Sequence, residues 1–519
     1  MRGRTARYDP VSPRLAGVTG TQPQSHRPAT EALRREEASC PVLPPVPGVI
    51  VGRRAYTGYD QPMLVFGATG AGKTTWLLRN IVQSPGAAVI SSMKPEVFAY
   101  TAGYFASRGR PVYVLDVDGS LSLPPEMKLA WSPITSCLLK SLPENLPPTA
   151  QVVKSRFGGW VSIAQAEKIG ERLSYAAIPA AGGDEGGWRG QTANLVTALI
   201  AAAAVGGVTD PQKMLLWAGS AAACQTPLDI LRSAGLLVMR NSLNSAIGPG
   251  NKDGGANRSS FANLVSKSLS SFKNPYIAQM CQVGPSDSLD VADFLARRGV
   301  VYLVGSSESQ AVVGAIIATF VEDLIEKARM IEKPISPPMC LWLDEVANIV
   351  PLPKLPQLYS TGRGDGIYLA SVLQSYSQAE QTWGREGADT IHANAVVEVH
   401  LSGSKDTAML SWLSQAGGQR DTTSRSRSYS RDGHSDTLSQ GKEQRFDTKS
   451  LRELQPRHAW VVYQNRPPVE SYLAPWWESE ERDAISFALR QAEQWVPGPL
   501  LPRPAPEPGG LRSLLRSRR

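Results

Sequence analysis

The sequence predicts an α/β protein built on a mostly parallel sheet, split by an all-α insertion. Three observations carry that prediction. Gly67 to Thr74 read GATGAGKT, the pattern of a phosphate-binding loop, between an apolar run (MLVF) and a helical stretch. Short apolar runs ending at turn or polar residues recur along both halves of the chain, as buried parallel strands do. Between them the pattern changes to helical periodicity with few strand-like runs.

Taken in order, the strand-like runs are Met63–Phe66, Ala87–Ser91, Val112–Val117, Val300–Val304, Cys340–Leu343, Ile367–Leu373, Val396–Leu401 and Ala459–Tyr463. Helical stretches such as Thr74–Gln83 and Ala311–Met330 separate several of them, the alternation expected of an α/β layer. In the middle, Gly190–Val205, Pro227–Ser233 and Ser259–Ser271 read as helices, with glycine-rich breaks at Ala181–Gly187 and Gly248–Gly255. The expected divisions are a disordered basic arm over 1–47, a nucleotide-binding domain begun over 48–147, an all-α domain over 148–295 and the nucleotide-binding domain resumed over 296–480. The last contains a Ser/Arg-rich loop over 417–447 with too few apolar residues to pack, and 481–519 is a C-terminal segment with a Pro-rich, basic tail.

Composition narrows the class. The chain has 519 residues, 42% of them apolar, enough for several folded units, and a net charge of +8 that permits an anionic partner without requiring one. Part of that charge sits at the ends, with Arg2, Arg4, Arg7 and Arg14 at one and Arg512, Arg516, Arg518 and Arg519 at the other, as solvated tails or as contacts to nucleic acid or anionic lipid. Five scattered cysteines without a Cys-x-x-Cys and five unclustered histidines give no basis for a zinc site or a disulfide framework, in keeping with a reducing cytoplasm. The apolar stretch Leu195–Val208 is short, Ala-rich and glycine-broken, so it reads as a buried helix, not a membrane span. No secretory signal is apparent at the N-terminus.

The chemistry concentrates at strand ends. Gly67, Ala68, Thr69, Gly70, Ala71, Gly72, Lys73, Thr74 and Thr75 form the nucleotide-binding loop. Its backbone N–H groups cradle phosphate, Lys73 brings a point charge to the β- and γ-phosphates, and Thr74 offers a hydroxyl to magnesium. The implied cofactors are therefore ATP and Mg2+. The run CLWL ends in Asp344-Glu345, the placement of a Walker B pair. There Asp344 holds the metal and Glu345 polarises the attacking water, the alternative being an ordinary acidic strand end. Arg363, between glycines on an expected loop before Ile367–Leu373, reads either as an arginine reaching a neighbouring subunit's phosphate or as a surface arginine in a salt bridge. Gln374, ending that strand, faces the ligand crevice as a γ-phosphate sensor or simply caps the strand. Lys94 and Asp116 sit at similar strand tips and line either the site or a nucleic-acid path.

With these residues placed, the chain resembles the coupling proteins of type IV secretion, the TraG/TraD-like ATPases of bacterial conjugation. The resemblance runs from about 48 to 480 and rests on ordered segments: GATGAGKTT, SSMKPE, WSP, FKNP, LWLDEVANI, LPKLPQLYSTGRGDGIYLASVLQSYSQ and IHANAVVEVHLSG, then LRELQPRHAWVV after the Ser-rich loop. It implies a RecA-like P-loop motor with an all-α domain, a homo-hexamer around DNA that presents relaxase-bound single-stranded DNA to the secretion channel. Relaxosome proteins and channel components are the partners so implied. The family roles carry over to Lys73, Thr74, Asp344, Glu345, Gln374 and Arg363. Family members usually begin with membrane helices, and none is visible here; membrane contact is then expected only through a partner, with the protein cytoplasmic or at the inner face of the membrane. Two other functions remain open: an intracellular duplex-DNA translocase, and a nucleotide-gated substrate-recognition adaptor with slow hydrolysis.

Overall fold

The computed structural model describes residues 49–50, 56–142, 151–177, 185–250, 256–430 and 433–497, apart from Thr69, Lys405 and Arg445. The expected N-terminal arm and the Pro-rich tail lie outside those residues, as does most of each glycine-rich break.

Nine strands make one sheet: β1 (Met63–Phe66), β2 (Ala88–Ser92), β3 (Val112–Asp116), β4 (Val300–Val304), β5 (Met339–Leu343), β6 (Ile367–Leu373), β7 (Val397–Leu401), β8 (His458–Tyr463) and β9 (Val469–Tyr472). Their spatial order is β9-β8-β7-β1-β6-β5-β2-β4-β3. The seven strands from β7 to β3 are parallel, and β8 and β9 add antiparallel at one edge. The parallel strands are buried almost throughout, which is why they read as continuous apolar runs and not as alternating ones. Alternate residues enter separate cores. Leu64 and Phe66 join the larger cluster, which runs into the helical region, while Met63 and Val65 join a second cluster with the helices Glu96–Ser107 and Arg482–Ala492.

Between β3 and β4 lies the helical region, which includes Ile163–Ala177, Glu185–Gly206, Ala221–Ser233 and Ala256–Ser268. The stretch Leu195–Val205 is packed inside it, with Ala201 to Ala204 fully buried. Among the described residues no helix is long and apolar enough to cross a membrane. The region is not purely helical, however. Leu138–Leu139, Val152–Lys154 and Trp160–Ser162 pair into a small antiparallel sheet at its start. Runs of two or three half-exposed residues are too short for a period-2 signal, so the sequence did not reveal them.

One helix clamps this region to the sheet. Helix α2 (Ser307–Ile331) follows β4 and carries three acids on adjoining turns. Arg172 of the helical region reaches Glu322 at 2.9 Å and Glu326 at 2.7 Å. Asp323 accepts from the Trp131 indole at 2.9 Å and the Ser136 hydroxyl at 2.6 Å, and pairs with Lys327.

Residues 417–447, read as a loop, contain two long strands, Gln419–Ser430 and Gly433–Gln444, paired antiparallel residue for residue. Poverty in apolar residues hid them, because a two-stranded ribbon is held by backbone hydrogen bonds and not by a core.

Candidate nucleotide site

The P-loop joins the carboxyl end of β1 to helix α1 (Lys73–Ile81). Gly70 and Gly72 have φ of 82° and 88°, the left-handed region open to glycine, and these two bends bring the loop back over the helix start. Gly72 is the N-cap and supplies no side-chain oxygen, and no acid lies in the first turn. The first N–H groups of α1 are thus left to an external anion, as P-loops require. Thr69, at the tip, lies outside the described residues. Gly67 takes a hydrogen bond on its carbonyl from Lys73 Nζ at 2.8 Å, which draws the buried ammonium under the loop.

β5 brings the acids to the same end of the sheet. Thr74 Oγ1 lies 3.4 Å from Asp344 Oδ2, and the Ser91 hydroxyl of β2 donates to the Asp344 carbonyl at 3.1 Å. Asp344 Oδ1 is buried with no hydrogen-bond partner. Burial pushes the Asp344 carboxyl up to about 6 against the pull of Lys73, and Glu345 next door adds to the rise. A buried carboxylate oxygen with no hydrogen-bond partner, beside a threonine hydroxyl, fits a metal cation. Glu345 follows with φ 50° and ψ 49°, a left-handed conformation uncommon outside glycine and asparagine. That turn ends the strand and turns the Glu345 side chain out of the strand's pleat.

A polar chain missed by sequence reasoning runs from there. Asn348 Nδ2 donates to Glu345 Oε2 at 3.3 Å, Gln378 Nε2 donates to Asn348 Oδ1 at 3.2 Å, and Gln378 Oε1 accepts from the Gln374 N–H at 3.0 Å. Gln374 is exposed at the carboxyl end of β6, and Leu373 beside it accepts from the Gly67 N–H at 3.1 Å. The walls of the site are therefore linked. The spacing Glu345–Asn348 (three apart) and Gln374–Gln378 (four apart) is the one available sequence signal, and it is weak alone.

One expectation changes. Arg363 is not on a loop: it lies in the last turn of helix α3 (Leu355–Asp365), which Leu355, Leu358 and Tyr359 hold by burial and which Gly366 ends at φ 73°. The flanking glycines looked like a loop because apolar anchoring on one face outweighs their poor helix propensity. Arg363 pairs with Asp60 at 3.0 Å, just before β1, at the amino end of the parallel strands. It is thus at the end of the sheet away from this chain's own P-loop. Asp116 is occupied in its own turn, accepting from Leu121 N at 2.7 Å and Asp118 N at 3.2 Å. Lys94 is exposed, 3.9 Å from Glu96.

Residues 338–456 match the family described as the TraM recognition site of TraD and TraG. The chain is TraG/TraD-like over this segment. The TraG/TraD-like segment includes β5, α3, β6, β7 and the ribbon, so it carries the Asp344-Glu345 pair but not the P-loop. Among solved structures, the plasmid coupling protein TrwB with a non-hydrolysable GTP analogue is 18% identical, with a TM-score of 0.58 over 83% of this chain and 89% of that one. TrwB with ADP and Mg2+ is 17% identical, with a TM-score of 0.57 over 85% and 92%. The unbound conjugative coupling protein TrwBdeltaN70 is 18% identical, at 0.56 over 80% and 85%. At these identities the likeness is one of fold. No curated protein sequence matches the chain.

Proposed function

We propose that this chain is an ATP-hydrolysing motor of conjugative type IV secretion that delivers relaxase-bound single-stranded DNA to the transfer channel. One observation carries the reading: the P-loop Lys73 and Thr74 meet the Asp344-Glu345 pair across the sheet, through the Thr74–Asp344 contact. The match over 338–456 and the TrwB fold point the same way, and TrwB itself has been solved with ATP and GTP analogues.

The residues fit ATP with Mg2+. Magnesium would sit at Thr74 Oγ1 and Asp344, whose orphaned oxygen and raised pKa both call for a cation. The metal, when bound, neutralises charge on the β- and γ-phosphates. Everything else falls to the chain. Backbone N–H groups at Gly70–Lys73 hold the phosphates, and Lys73 leaves the Gly67 carbonyl to meet them. Glu345 takes a proton from the attacking water, its carboxylate aimed by Asn348. Gln374, at the end of β6, reports on the γ-phosphate. Relaxosome proteins would dock on the segment matched as the TraM recognition site, and a hexamer of this chain would enclose the DNA.

Hydrolysis rates measured with single-stranded DNA, with duplex and without DNA test this. Stimulation by single strands above duplex is the expected result. Stimulation by duplex alone would make the chain an intracellular duplex translocase, and a slow rate indifferent to both would make it a recognition adaptor. Lys73→Ala should abolish hydrolysis, whereas Glu345→Gln should keep ATP binding and lose turnover.

A further inference from the structure

Far from the P-loop in the chain, one end of the helical region carries a surface of exposed rings. Tyr175, near the end of the helix Ile163–Ala177, is 49% exposed, and Trp188, near the start of the helix Glu185–Gly206, is 40% exposed. The two helices run antiparallel: the Arg189 guanidinium lies 4.3 Å from the centre of the Tyr175 ring, while Gly170 faces Thr197 one turn and more away. A third helix, Ala256–Ser268, brings Phe261 to 5.0 Å from Trp188, with the ring planes at 42°. Each exposed ring is thus held by a neighbour on another helix and still shows part of its surface to solvent.

The backbone beside Trp188 is bare. A glycine inside a helix costs about 1 kcal/mol relative to alanine, so each one needs a reason. Gly170 has one within the chain: a Cβ there would lie 2.2 Å from Thr197 Oγ1, so its absence lets the two helices close. A Cβ on Gly187 or Gly190 would meet nothing within 4 Å. With Gln191 and Asn194 these two glycines form the exposed face of their helix. The charge is one-sided as well. From Gly187 onward this helix carries Arg189 and no acid, and Ala256–Ser268 carries Arg258 and Lys267 and no acid. Glu171 and Glu185 precede the rings by a turn. Exposed rings, a stacked guanidinium, amides and positive charge suit a strand that is anionic along its backbone and flat at its bases.

We propose that this surface is a stacking platform for single-stranded DNA, with bases lying on Trp188 and Tyr175 and the sugar–phosphate backbone passing over Gly187 and Gly190. The proposal rests on the reading above that the chain handles single-stranded DNA, and it names where the strand is met. Recognition through ring faces tolerates any sequence, because every base has a face to stack. It also excludes intact duplex, whose bases are already stacked on each other.

Fluorescence anisotropy of the full chain with a labelled oligothymidylate, and with a duplex of equal length, tests this. Trp188→Ala and Tyr175→Ala should each weaken the single strand about ten-fold, leave duplex binding and DNA-free ATP hydrolysis unchanged, and keep the slope of log K against log salt, since stacking releases no counterions. Trp188→Phe should restore most of the loss. Gly190→Ala favours the helix and has room for its methyl group, so it should not lower the melting temperature, yet it should weaken the single strand. If the parent binds no single-stranded DNA, the function proposed above fails first. If the parent binds it and Trp188→Ala binds it equally, the platform alone is overturned. Loss of duplex in the same proportion as single strand overturns it too, and Gly190→Ala binding as the parent does removes the strand from that helix face.

Discussion

Asp344 is a residue whose burial costs stability, a cost that its proposed role in holding magnesium would explain. Its folded pKa of about 6 stands above the ordinary 3.8, so the folded state holds its proton more tightly than the unfolded chain does. The penalty is absent well below pH 4, grows as pH rises through about 6 and is complete at neutral pH. A rise of that size corresponds to roughly 3 kcal/mol as an upper figure. Asp344→Asn should therefore melt higher than the parent at pH 7 without magnesium, and should lose magnesium-dependent hydrolysis. A melting series from pH 4 to pH 8 should show the advantage vanish at the acid end; an unchanged or lower melting temperature at pH 7 would remove the argument. Asn348 gives the second prediction at this scale. Its amide holds the Glu345 carboxylate and is held in turn by Gln378. Asn348→Ala and Gln378→Ala should each lower kcat about ten-fold with little change in KM, the mark of an interaction that matters at the transition state. Combined, they should cost little more than either alone, because they act as one unit.

Strand β7 shows what an element can conceal from a sequence reader. Its apolar pattern made it legible as a strand, yet Glu398 and His400 are both buried in it. Glu398 lies 2.7 Å from His392 Nδ1 and 3.1 Å from His400 Nε2, while His400 stacks on Phe66 at 5.1 Å, at the foot of the P-loop. Burial alone would raise the Glu398 pKa, but the two histidines outweigh it and hold it below the usual range. His392, despite its own desolvation, is held above its usual value by Glu398. The carboxylate's contribution is present above its unfolded pKa and fades as pH falls; that of His392 is present below the unfolded histidine pKa and fades as pH rises through the folded one. Glu398→Gln should cost about 3 kcal/mol near pH 6 and less at pH 8, read by denaturant unfolding; an equal cost at both pH values would deny the imidazolium its role. Eight of the nine sheet strands were legible because parallel strands are apolar on both faces. The ninth, β9, has an exposed face and too few apolar residues to announce itself. The P-loop and the Asp344-Glu345 pair were legible because their chemistry is local in sequence. Asn348 and Gln378 were not, since each acquires meaning only from a neighbour that folding supplies.

At the scale of the whole molecule the question is where Arg363 acts. In its own subunit it sits at the amino end of the parallel strands, paired with Asp60, while the P-loop lies at the carboxyl end. No rotamer of a side chain that long crosses a sheet, so a role in its own site is ruled out by topology. Its side chain is 61% exposed, and the Asp60 side chain that pairs with it is itself partly solvated, so the pair is weak and readily exchanged. If the chain assembles as proposed, a guanidinium held loosely at the surface, one sheet-length from its own site, would stabilise a transferring phosphoryl group on a neighbouring subunit, where such fingers contribute on the order of a thousand-fold in rate. The subunit alone should then be a poor ATPase, with activity rising steeply with protein concentration or with DNA that assembles the ring. Mixing decides it. Arg363→Ala and Lys73→Ala proteins, each nearly inactive, should recover activity together, because some interfaces then join an intact arginine to an intact P-loop. Asp60→Ala, which frees Arg363 without removing it, should leave assembled activity within a few-fold of the parent. If mixed oligomers form and no activity returns, Arg363 belongs to its pairing with Asp60 and not to catalysis.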